Sequence, residues 1–199
     1  MSASKTLFHR TGKLISPEEL FNAAHQYAEK SLRTKGSITP TLFGVTPTGY
    51  FIHYGEPFRN SDEKARFATS CSLLLLVTGA RHCMLAVEGW MTQAQAGRPP
   101  QTPPSKSQDR VEVVIFCAEG SKEPDTKERN VRMTIYSILR TTKGAFEGFG
   151  ENVLPENLQL GGLFANLLLP YPPVRIAKQV IQAARAVLDQ MGVAVPEIG

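Results

Sequence analysis

Apolar residues recur three and four apart from Phe21 through Ala24 and Ala28 to Leu32, the spacing that lays a single stripe along a helix. Ser16-Pro17-Glu18-Glu19 precedes them as N-cap, first-turn proline and capping-box glutamate, and Gly36 follows as a stop. A helix is expected over 17–34. The pattern then shortens to two β-prone runs, 41–46 and 50–54, flanking Thr46-Pro47-Thr48-Gly49. Proline presets φ at the second turn position and glycine suits the fourth, so the runs read as a hairpin. Asn60-Ser61-Asp62-Glu63 opens a second helix, with acids complementing its dipole, and Gly79 closes it. Leu73 to Val77 make its last turns apolar nearly all round, which predicts the most buried helix of the chain.

Three runs of strand character follow, Arg81 to Thr92, Arg110 to Glu119 and Val131 to Thr141. In the second, Val111, Val113, Ile115 and Cys117 alternate onto one face. In the third, Val131, Met133, Ile135, Ser137 and Leu139 oppose Arg132, Thr134, Tyr136 and Arg140. The connection from Gly120 to Asn130 is charged. The one from Ala94 to Asp109 holds four prolines and reads as a mobile loop. Beyond residue 141 the chain is glycine-rich. A short helix is expected after Pro155, and Leu163 to Leu169 form another apolar stretch. A last helix starts after Pro173, where Ala177, Val180, Ile181, Ala184, Val187, Leu188 and Met191 make a stripe before Gly192.

The expected class is α+β, in the order α-ββ-α-βββ, with a C-terminal helical segment. That order resembles the roadblock/longin and profilin-like layout, a five-stranded, mainly antiparallel sheet flanked by helices. The resemblance implies strand order 2-1-5-4-3, in which the first hairpin joins the last strand of the meander. A likeness of layout implies no activity. With no linker and no repeat, residues 1–199 read as one domain, 141–199 being a Gly/Pro-rich segment with the last helix packed on it. Within it, Glu88-Gly89-Trp90, then Pro104-Ser105, then Asp109-Arg110-Val111-Glu112 resemble a block found in a group of small uncharacterised bacterial and phage proteins. Gly89 stands where that group usually has alanine, and the resemblance brings no activity with it.

Composition narrows the classes. Of 199 residues 42% are hydrophobic and 20% charged, enough apolar material to exclude wholesale disorder. Twenty-two Lys and Arg against 18 Asp and Glu give a net charge of +4, with no basic stripe, so nucleic acid is not the expected partner. The basic face of the last helix, Arg175, Lys178 and Arg185, reads as solvated. Three cysteines cannot complete a disulfide framework, and the first ten residues carry no apolar leader core. The greasiest stretch, Phe67 to Ala80, holds 14 uncharged residues between Arg66 and Arg81, short of the ~20 residues of a membrane span. A cytoplasmic protein with no membrane segment is expected.

Candidate chemistry is sparse. There is no phosphate loop, no Gly-x-Ser-x-Gly elbow, no His-Glu-x-x-His and no Cys-x-x-Cys. His82 and Cys83 are adjacent on a strand and therefore point to opposite faces. No metal or cofactor is implied. The candidate polar cluster is Glu88, Trp90, Asp109, Arg110 and Glu112, where the ends of two strands flank the proline-rich loop. A salt bridge between Glu88 and Arg110, covered by Trp90, is expected to fix register there. The sequence thus points to a non-enzymatic module acting through protein–protein contact, a homodimer being one form of it. The alternative is a small hydrolase or small-molecule-binding protein using the Glu88/Trp90/Arg110/Glu112 surface.

Overall fold

The computed structural model describes residues 5–11, 15–92, 106–121, 129–153, 167 and 176–196. In chain order the elements are β1 (Lys5–Arg10), α1 (Pro17–Lys35), β2 (Thr41–Thr46), β3 (Gly49–Tyr54), α2 (Ser61–Thr78), β4 (His82–Met91), β5 (Val111–Ser121), β6 (Arg129–Arg140), β7 (Phe146–Asn152) and α3 (Lys178–Gln190). The short helix expected after Pro155, and most of the 94–109 loop and the 163–169 stretch, lie outside the described residues.

Capping sets the ends of the first two helices. The Ser16 hydroxyl accepts from the Glu19 N–H at 3.1 Å, and the Glu19 carboxylate accepts from the Ser16 N–H at 2.9 Å. Asn60 Oδ1 accepts from the Glu63 N–H at 2.9 Å at the start of α2. Gly36 and Gly79 end the two helices at φ 75° and 60°, a left-handed turn that a side chain would strain.

The sheet corrects two expectations. It has seven strands rather than five, in the order β1-β3-β2-β4-β5-β6-β7, and every neighbouring pair is antiparallel. The five expected strands lie where the pattern places them, but the hairpin joins the first strand of the meander, through β2 and β4, and not the last. Burial explains the choice. All six residues of β2 are buried, as are Cys83 to Val87 of β4. Strands apolar on both faces belong at the centre of a sheet, with neighbours on both edges. The two unexpected strands are its edges. Lys5-Thr6-Leu7-Phe8-His9-Arg10 is mostly polar, and Phe146-Glu147-Gly148-Phe149-Gly150-Glu151-Asn152 carries glycine and bulged pairing, so neither shows strand periodicity.

Helices cover both faces. Leu20, Ala24, Ala28 and Leu32 of α1 pack on Phe43, Met84, Ala86, Val114 and Phe116. On the opposite face α2 and α3 pack on Leu42, Phe51, Leu85 and Cys117. Ala184 and Leu188 of α3 turn fully inward, with Ile181 and Met191 packed beside them, while Val180 and Val187 of the expected stripe stay about half exposed on its flank. Leu74 of α2 is wholly buried and Leu75 nearly so. Leu74→Ala should therefore lower the unfolding free energy by about 2–5 kcal/mol in urea titration, the transfer and cavity terms together. An unchanged midpoint would contradict this packing.

One buried polar relay ties β1 and β3 to α2. His53 is inaccessible to solvent and faces Thr6 across the β1–β3 pair. The Ser70 hydroxyl donates to the Phe67 carbonyl at 2.8 Å, so its oxygen is left to accept from His53 Nε2–H at 3.3 Å. Nδ1 is then the acceptor for the Thr6 hydroxyl at 3.0 Å. Burial lowers the pKa of His53 to about 4. The unfolded chain would take up a proton near pH 6.5 that the folded one refuses. Stability from this group is thus complete above pH 6.5 and is lost as pH falls toward 4, by up to about 3 kcal/mol. Unfolding free energies measured between pH 7 and 4 should show this loss, and His53→Gln should flatten it. An equally steep profile in the variant would assign the effect elsewhere.

Candidate functional site

The β4–β5 register places Trp90 opposite Glu112 and Glu88 opposite Val114, so all four share the face on which α1 lies. Glu88 and Glu112 come together there, but not with the partner expected. Arg110 lies just before β5, four residues from the position facing Glu88, roughly 13 Å at strand spacing; its guanidinium stacks on Trp90, while Glu88 accepts from the Ile38 N–H.

The basic partner is Arg140, at the end of β6. Its Nε donates to Glu112 Oε2 at 2.6 Å, and Nη2 makes the second, parallel bond to Oε1. The same guanidinium donates to the Gly36 carbonyl at 2.9 Å and to the Gly144 carbonyl at 3.3 Å. Glu88 Oε2 accepts from the Ile38 N–H at 2.7 Å. Gly36 and Ile38 belong to the turn that leaves α1, so Arg140 and Glu88 hold backbone groups of that turn while Glu112 holds Arg140. Burial raises the pKa of Glu88, the Ile38 N–H partly offsets it, and neighbouring Glu112 adds to the rise. Arg140 is pushed up, chiefly by its hydrogen bond to Glu112.

Trp90 and Arg110 form a separate, outer unit. The Arg110 guanidinium carbon lies 4.3 Å from the Trp90 ring centre, within cation–π range, and Trp90 remains 41% exposed. Asp109 stands apart in an exposed turn, its N–H donating to Ser107 Oγ at 3.3 Å. The five candidates therefore divide into an inner polar clamp, an outer stacked pair and a turn residue.

Sequence reasoning missed Arg140 as the hub. A signal existed, since Arg140 alternates onto the face opposite Val131 and Met133, but only the β5–β6 register brings that face to Glu112. It also missed Glu119, which is 2% exposed and accepts from the Leu167 N–H at 2.8 Å.

Other chemistry is held quiet. Cys71, Cys83 and Cys117 are all buried, and burial raises each thiol, Cys117 to about 12, so a thiolate is scarce at neutral pH. A cavity of about 200 Å³ lies between the start of α1 and the sheet, lined by residues including Pro17, Leu20, His82, Gly120 and Arg132. It is smaller than the usual ligand pocket and lies apart from the clamp. Burial, helped by neighbouring Arg81, lowers the pKa of His82. Among the described residues no group of three or more His, Cys, Asp or Glu is placed to hold a metal ion, and no helix is long and apolar enough to cross a membrane.

The chain is thus an α+β protein with helices on both faces of a seven-stranded antiparallel sheet. Compared with known family models, curated proteins and solved structures, it matches none.

The clamp makes a measurable prediction. The side chains of Arg140 and Glu112 are 23% and 14% exposed, between a surface bridge and a core one. Glu112→Gln and Arg140→Met should each cost about 1–3 kcal/mol, and the double variant should lose less than the sum, because one charge no longer strands the other. Strictly additive losses would show that the two act independently.

Proposed function

We propose that this protein acts in the cytoplasm as a non-enzymatic module through contact with another protein, and that Trp90 and Arg110 anchor the contact. The observation that carries this reading is the exposed Trp90–Arg110 stack beside carboxylates already engaged with Arg140 and the Ile38 N–H. Tryptophan and arginine are the side chains most often found dominating interface energetics, and a stacked pair loses little freedom on binding. Three buried free thiols accord with a reducing compartment.

The alternative, a small hydrolase or ligand-binding protein using Glu88 and Glu112 with Trp90 and Arg110, draws on the raised pKa of Glu88. It predicts that Glu88→Gln abolishes an activity without shifting the melting temperature.

Affinity capture from the native cell tests the contact reading. Wild type should retain a defined protein that Trp90→Ala and Arg110→Ala each lose, with both variants melting within a few degrees of wild type. Equal capture by all three chains would remove this surface from the proposal.

A further inference from the structure

The sheet ends at β1 and β7, and among the described residues no strand pairs with the outer side of either. Such edges present unpaired N–H and C=O groups to any chain that can extend the ladder. Their charges are opposite. β1 carries exposed Lys5 and Arg10, and β7 carries exposed Glu147 and Glu151.

These charges decide which pairings are open to a second copy. Two β1 strands meeting antiparallel about their centre set Lys5 against Arg10, and two β7 strands set Glu147 against Glu151. Like charges directly opposite are destabilising, so both two-fold pairings are opposed. Pairing β1 with the β7 of another copy brings opposite signs together.

Direction and spacing fit the same arrangement. Six successive antiparallel pairings separate β1 from β7, so the two edges run the same way. A sheet continued with α1 on the same side in each copy therefore joins them in parallel. Lys5 and Arg10 lie at the two ends of β1 as Glu147 and Glu151 lie near the two ends of β7, so parallel pairing brings opposite charges together at both ends of the contact.

We infer that copies of this protein associate head to tail, the basic edge strand β1 of one adding in parallel to the acidic edge strand β7 of the next. Such a contact is heterologous: it uses β1 of one copy and β7 of the next, so the assembly is open rather than a closed dimer. It uses strands distinct from the Trp90–Arg110 surface, so the two proposals fail independently.

Sedimentation velocity on the full-length chain tests it. At about 20 mM salt, a salt range in which surface charges are weakly screened, raising protein concentration should shift the weight-average mass steadily upward past the dimer. At about 500 mM salt, where screening is strong, the shift should shrink several-fold. Lys5→Glu with Arg10→Glu should abolish growth, and so should Glu147→Lys with Glu151→Lys, each variant remaining folded by circular dichroism. Mixing the two variants should restore growth, because each then offers an edge complementary to both edges of the other. A monomer at every concentration, a closed dimer, or growth unaffected by either pair of reversals overturns the inference.

Discussion

The two-sided burial of β2 and β4 is the constraint on which the rest of the structure depends. Every residue of β2, and Cys83 to Val87 of β4, lie out of contact with solvent. Paired side by side they form an apolar slab that one helical layer cannot cover. One face is closed by α1, whose Leu20, Ala24, Ala28 and Leu32 form a single stripe. The other requires α2, apolar on most of its circumference, with α3 packed beside it. The meander β4-β5-β6 then grows from one side of the slab and β3 from the other. Polar, bulged or glycine-rich strands are left for the edges, where half of the ladder faces outward.

The polar clamp follows from the same arrangement. Because α1 runs across β4 and β5, its end arrives above the ends of those strands, where its last backbone groups would lack partners. Arg140 donates to the Gly36 carbonyl and Glu88 accepts from the Ile38 N–H, while Glu112 neutralises the arginine. The side chains most suggestive of chemistry are therefore fixed by helix-end satisfaction. This also accounts for the raised pKa of Glu88, since a carboxylate placed under a helix end loses water and meets Glu112.

Local features were readable from the sequence and long-range ones were not. The capping box at Ser16, the asparagine cap at Asn60 and the glycine stops at Gly36 and Gly79 act within a few residues, so both helices are found within a residue or two of their expected limits. The 41–54 hairpin and the three meander strands announce themselves by alternation. Strand order depends on comparing burial across strands tens of residues apart, and the layout analogy chose the wrong neighbour for β2. The edges were invisible for a physical reason: a strand with one partner needs little intrinsic propensity. At the site, the sequence grouped Glu88 and Glu112 in one candidate cluster, and the β4–β5 register sets both on the α1 face. Their partner, Arg140, is 28 residues from Glu112 in sequence and becomes adjacent only through the β5–β6 register.

The distribution of titratable groups bears on what kind of protein this can be. Inside, His53 is held neutral between two hydroxyls, and the three thiols are held protonated by burial. Glu119 is tied to the Leu167 N–H, and the clamp carboxylates have backbone or arginine partners. On the surface, Trp90 is 41% exposed with the Arg110 guanidinium stacked on its ring. Trp90 stands on β4 opposite Glu112 of β5, whose carboxylate is held by Arg140 in the clamp. In the contact proposed above, a surface held in this way would lose little conformational freedom, and preorganisation of that kind raises affinity without requiring a large contact area.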